Sequence, residues 1–296
     1  IKVGAVGAII GMTLTSFSTG NVQNFVNPLW PESFGWETVL AVGAALRYSF
    51  FAFSGWEGAT YMAEEVKDPQ RTLPLSLFIG IGGVTLLYIG TNLGYLYQLN
   101  VQEIIENKMV ATAAMKVVLG ATGGVLISVA VAINAFGNIS TQILCKGRTW
   151  HAMARDGLFF DKFKVLHPVF KSPNNALIGQ GIWATILLIF SVVATYLQSG
   201  VSGSNAYEIM IDFFSATSTI FNLLTFGAIY VLRKKWPQKD RPYKALLYPW
   251  SMIIVLILYS SFLVITLITA FIPSLVGLTI TFSGTLYYLK KVKNKS

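Results

Sequence analysis

Apolar positions in this chain do not alternate with polar ones; they run. Seven stretches reach the length of about 20 largely apolar residues that a helix needs to cross a bilayer. They are Val39–Met62, Leu73–Leu96, Gly120–Leu144, Ala176–Leu197, Ala206–Val231, Leu246–Ile268 and Ile272–Leu289. Val3–Phe17 is a shorter run and reads as a helix whose beginning lies upstream, so the chain is expected to be a fragment. Strands are excluded, because unpaired backbone is not tolerated in lipid and barrel strands alternate in polarity. The pattern predicts an all-α integral membrane protein.

Composition agrees. Hydrophobic residues make up 54% and charged residues 12%, about half the usual charged share of roughly 25%. Mean hydropathy is +0.59. The net charge of +9 does not indicate nucleic-acid binding, because its position is that of a topology signal. The loops Glu64–Arg71, Lys146–Lys171 and Arg233–Lys244, with the tail Lys290–Ser296, hold 18 of the 22 Lys and Arg. Alternate loops hold only Lys108 and Lys116, so the positive-inside rule predicts cytoplasmic placement of the basic loops and the C-terminus. The tail also suits contact with anionic lipid. Asn100–Lys116 is expected to form short helices on the outer side, and the amphipathic start of Lys146–Asn174 to lie on the inner membrane surface. A single cysteine, Cys145, excludes an internal disulfide and a multi-cysteine metal site.

Polar residues inside apolar runs carry the candidate chemistry. Ser54, Gly55 and Gly58 weaken a helix in the middle of the first span, and Glu57 is costly at that depth. A break there would free carbonyls to accept from an ammonium group, and irregular backbone is tolerated in a membrane only beside a cavity. The competing reading is an unbroken glycine-rich helix packed on a neighbour, with Glu57 hydrogen-bonded inside. Arg47, ten residues before Glu57, is expected to snorkel outward in preference to facing a wet vestibule. Glu208, Asp212, Ser215, Thr217, Ser218, Thr219 and Asn222 form a polar stripe that suits either a pathway or helix–helix hydrogen bonding. Asn134, Asn138, Ser140, Thr141 and Gln142 leave the same two readings open. The glycines at 4, 7 and 11, and at 80, 82 and 83, predict close helix contacts. His151 and Asp156 match the spacing of membrane acyltransferases, but no partner motif follows, which favours a structural loop. The sequon Asn138-Ile139-Ser140 lies within a span and is not usable. No phosphate-cradling loop, metal cluster or catalytic triad is visible.

Phe51-Ala52-Phe53-Ser54-Gly55-Trp56 and Ala63-Glu64-Glu65-Val66-Lys67-Asp68-Pro69-Gln70-Arg71-Thr72-Leu73-Pro74 resemble the sixth helix and following loop of bacterial amino acid permeases. Thr91 through Tyr95, Arg148 with Met153 through Gly157, and Arg241-Pro242-Tyr243 with Tyr248-Pro249 agree in order and spacing. The chain is similar to the L-type amino acid transporter branch of the amino acid–polyamine–organocation superfamily. The resemblance implies a LeuT-type fold of twelve helices with two inverted five-helix repeats. Residues 1–17 would then end helix 5, residues 39–231 would form the second repeat, and residues 246–289 helices 11 and 12. Helices 1 to 4, which in the family include the amides that bind the substrate carboxylate, would be absent, and the isolated fragment is expected to be inactive.

Carried over by position, carbonyls around Phe51, Ala52 and Ser54 would receive the substrate ammonium, with Phe53 and Gly55 in the same motif and Phe51 as an aromatic gate. Glu57 falls where relatives contact substrate or tune the pocket, and an acid there keeps cationic substrates open. Lys2 matches a helix-5 lysine near the sodium position of sodium-coupled relatives, which argues against sodium coupling. Asn138 and Ser140 would face the core, and Thr219 would replace a pocket aromatic. The expected function is secondary transport of amino acids across the cytoplasmic membrane by alternating access, with exchange of neutral L-amino acids preferred and no cofactor, metal or enzyme activity. A proton-coupled carrier of cationic amino acids or polyamines is the alternative within the superfamily, and an acyltransferase the alternative outside it. Animal relatives link a single-span partner subunit through an upstream cysteine, so this sequence does not reveal such a partner.

Overall fold

A computed structural model describes residues 2–26, 33–61, 63, 66–107, 109–199, 206–241, 245 and 247–292. Parts of the quoted motifs, Glu64, Glu65, Pro242 and Tyr243, lie outside the described residues, as do Lys108 and the end of the basic tail. The helices are α1 (Lys2–Thr15), α2 (Trp36–Ala52), α3 (Gly58–Tyr61), α4 (Pro69–Gln98), α5 (Val101–Glu106), α6 (Val110–Arg155), α7 (Asn174–Ser199), α8 (Ala206–Lys235), α9 (Trp250–Thr269) and α10 (Phe271–Tyr287). Among the described residues, α4, α6, α7, α8, α9 and α10 are long and apolar enough to cross a membrane. The first predicted span is not one helix: α2 and α3 divide it.

The chain forms two compact units, Ile1–Ser33 with Met62–Gln142, and Phe34–Tyr61 with Ile143–Ser296. In the first, α1 packs against α4 through Gly90 and Gly94, one helical turn apart. A Cβ at Gly90 would meet Ile10 at 3.2 Å, and one at Gly94 would collide with the Thr13 hydroxyl. Gln98 completes the contact, donating from Nε2 to the Thr13 carbonyl at 2.6 Å and accepting from Thr19 Oγ1 at 2.7 Å. The glycines expected to make close contacts behave differently, since a Cβ at 4, 7, 11, 80, 82 or 83 would meet nothing within 4 Å. Gly94→Ala is therefore expected to lower stability by about 1–3 kcal/mol through overpacking. Gly80→Ala should not, and thermal unfolding in detergent separates the two.

Short helices do form between α4 and the next span. An Asn100–Glu103 capping box starts α5, and the first ten residues of α6 precede a kink at Gly120, whose φ of 64° suits glycine. After that kink α6 continues to Arg155, well past the predicted end at Leu144. The segment expected on the membrane surface thus begins as an extension of a spanning helix.

In the second unit α8 is central, packing against α2, α7, α9 and α10. Phe50 fastens α2 to α9, stacked on Phe262 at 4.2 Å and edge-on to Tyr259 at 5.4 Å between ring centroids. Gly43, whose missing side chain makes room for Ile265, lets the two helices approach.

Candidate functional site

The sixth-helix motif is where the backbone leaves the helix. α2 stops at Ala52, and Phe53 through Glu57 are non-helical before α3 resumes at Gly58. Gly55 has φ 96°, a conformation L side chains rarely adopt. Turns hold the stretch: Ser54 N–H donates to the Phe51 carbonyl and Gly58 N–H to the Gly55 carbonyl, each at 3.0 Å. Glu57 Oε2 accepts from Gly55 N–H at 3.0 Å, so the acid satisfies a donor that the break exposes. Its own carbonyl accepts from Thr60 N–H and Thr60 Oγ1. The break is real, and Glu57 helps to hold it.

Beside the break lies a cavity of about 780 Å³, within the usual range of small-molecule sites. Phe51, Phe53, Ser54 and Glu57 line it, as does Thr219. The α8 stripe supplies most of the polar wall through Ser215, Thr217, Ser218, Thr219 and Asn222. Several of these hydroxyls bond back into their own helix: Thr219 Oγ1 to the Ser215 carbonyl at 2.6 Å, and Thr281 Oγ1, on the α10 wall, to the Gly277 carbonyl at 2.9 Å. Ser215 Oγ is buried and has no partner among the described residues. Phe51 stands edge-on to both Tyr207 and Phe214, at 6.0 and 5.7 Å. Ala52 and Gly55 contribute backbone to the break rather than side chains to the wall.

Arg47 does not snorkel. It is 8% exposed, and its Nη1 pairs with Asp212 Oδ1 at 2.5 Å, tying α2 to α8. One acid of the α8 stripe is thereby committed to helix pairing while the hydroxyls beyond it face the cavity. Lys2 and Asn138 are brought together in the other unit, with Lys2 Nζ donating to Asn138 Oδ1 at 2.8 Å. Ser140, expected to face the core, is exposed and donates to the Phe136 carbonyl of its own helix. His151 is engaged as well, its Nδ1 donating to the carbonyl of Phe163 at 3.0 Å, and the Phe163 ring packs with those of Trp150 and Phe159. That contact makes it part of the packing that turns the chain after α6. Among the described residues no group of His, Cys, Asp and Glu is arranged to hold a metal ion.

Sequence reasoning missed Lys146 as a cavity residue. It lines the cavity from α6, with Nζ 5.9 Å from the Phe214 ring centroid. In the sequence it is not set apart from the other basic residues that follow the span.

Residues 2–289 match the family described as amino acid permease. Over 261 residues the chain is 31% identical to the serine/threonine exchanger SteT of Bacillus subtilis (strain 168), covering 86% of this chain and 56% of that protein. It is 27% identical over 258 residues to large neutral amino acids transporter small subunit 2 of Mus musculus, covering 87% and 45%. To the cystine/glutamate transporter of Homo sapiens it is 24% identical over 247 residues, covering 83% and 46%. The chain thus spans about half the length of the curated relatives it matches. With a match along nearly all its residues, apolar helices of spanning length and a discontinuous helix at the shared motif, this multi-pass membrane chain belongs to the amino acid permease family.

Proposed function

We propose that the chain is part of a secondary transporter that exchanges neutral L-amino acids across the cytoplasmic membrane by alternating access, and that it is not an enzyme. The observation that carries this reading is the cavity bounded by a broken helix, the hydroxyl stripe of α8 and the Phe51 ring. A zwitterion cannot cross hydrocarbon unless fixed partial charges replace its hydration, and broken helices supply them. Carbonyls around Phe51, Ala52 and Ser54 receive the ammonium group, and Phe51 closes over it. Glu57 shapes the break through its bond to Gly55. The exchange named for the Bacillus relative and the neutral substrates named for the mouse relative support the same choice.

In this reading residues 39–231 form the second repeat, 1–17 close the first, and 246–289 are helices 11 and 12 outside the repeats. Both the basic loops and the C-terminus face the cytoplasm, following the positions of Lys and Arg. Lys2 bonded to Asn138 fills with a fixed ammonium the place of a coupling cation.

Counterflow into proteoliposomes loaded with unlabelled amino acid tests the reading on the full-length protein. Labelled neutral amino acids are expected to enter without a sodium or proton gradient, stimulated by neutral amino acids inside. Uptake of arginine or a diamine alone would replace it with the cationic carrier.

A further inference from the structure

The cavity wall contains two ionisable groups of opposite sign, Glu57 on the break and Lys146 on α6; its remaining lining is aromatic, aliphatic, hydroxyl or amide. Among the described residues neither is joined to an ion-pair partner. Both line the same cavity, and the segments that carry them approach one another where a Cβ on Gly58 would lie 3.9 Å from Cys145 Sγ. The ammonium of Lys146 is held over Phe214, the ring that also abuts Phe51. Arg47 and Asp212 neutralise each other outside the lining. The cavity therefore carries a balanced pair of charges.

A single fixed charge in a cavity with low-dielectric walls attracts a substrate of the opposite sign and repels one of the same sign. Two opposite charges in one cavity leave it with no net charge to favour either sign. We infer that Lys146 sets the charge selectivity of this site: it offsets Glu57, so that the cavity accepts amino acids with uncharged side chains and rejects basic ones. Lys146 is then a specificity residue rather than a topology signal, and Glu57 alone does not make the chain a cation carrier. The inference rests on the transport reading above and names its substrate class.

The experiment measures counterflow of labelled alanine, arginine and glutamate by the full-length protein in proteoliposomes. Comparison covers Lys146→Gln, Glu57→Gln, the double variant, and the charge-keeping Lys146→Arg and Glu57→Asp. For Lys146→Gln the arginine-to-alanine ratio is expected to rise about tenfold, the scale of one modest charge interaction. Glu57→Gln should raise the glutamate-to-alanine ratio instead, and the double variant should return both ratios towards the starting protein. Lys146→Arg should keep the original selectivity, which separates loss of charge from misfolding. Ratios within twofold of the starting protein in both single variants would overturn the inference while leaving exchange intact. An unaltered protein that exchanges none of the three overturns the transport reading itself.

Discussion

Replacing Arg47 by alanine is expected to destabilise the protein by about 3–5 kcal/mol, the cost of leaving one member of a buried ion pair without its partner. The side chains of Arg47 and Asp212 are 10% and 17% exposed, so water does little to screen the stranded carboxylate. Arg47 also donates from Nε to the Ala44 carbonyl at 3.4 Å, a bond lost in the same substitution. Asp212→Asn keeps an acceptor but strands the guanidinium, which cannot shed its charge, and should cost a similar amount. The double change Arg47→Met with Asp212→Leu should recover much of the loss, because an apolar pair of similar volume does not need compensation for desolvation. Denaturant unfolding in mixed micelles gives each value. A loss below 1 kcal/mol for Arg47→Ala would mean that the pair is open to water and does not hold α2 against α8.

Gly55→Ala should be the most damaging small substitution for activity. Alanine at φ 96° carries strain of about 1–3 kcal/mol, and the chain can relieve it only by changing the course of residues 53–57. Such a change withdraws the Gly55 N–H from Glu57 Oε2 and moves Ser54 and Phe53 on the cavity wall. Neutral amino acid counterflow is therefore expected to fall to background even where the protein stays folded. Gly58→Ala makes the useful contrast for stability: its Cβ would sit at an ordinary 3.9 Å from Cys145 Sγ, and the residue is helical. Its unfolding midpoint should stay close to that of the parent, while that of Gly55→Ala falls. Equal midpoints for the two variants would show that the left-handed turn carries no strain.

What the sequence made legible follows from how far each signal reaches. Spans are written locally, in runs of apolar side chains, and the kink at Gly120 falls at the predicted start of its span. The break was legible for the same reason, since Ser54, Gly55, Glu57 and Gly58 are contiguous and each is costly in a buried helix. Arg47 was misread because its partner is 165 positions away, beyond any helical spacing. The end of α6 was placed too early because Lys146, Arg148 and Arg155 look like loop residues, although charge does not stop a helix that leaves the hydrocarbon. The same assignment hid Lys146 from the site. Glycine runs failed differently: absence of a side chain permits a close approach, but a neighbour must supply it, and at residues 80, 82 and 83 none does.

The hydroxyls along the cavity have a direction. Thr219 and Thr281 spend their protons on carbonyls of their own helices, and Ser218 Oγ leans the same way towards the Ser215 carbonyl at 3.4 Å. What they turn outward is oxygen lone pairs. Where these three stand a bound molecule meets acceptors, while Lys146 and the Asn222 amide are donors on the same wall. Such a surface sorts molecules by the protons they bring: an ammonium nitrogen delivers three to a wall already facing the right way, whereas an ester or ether of the same size arrives with none.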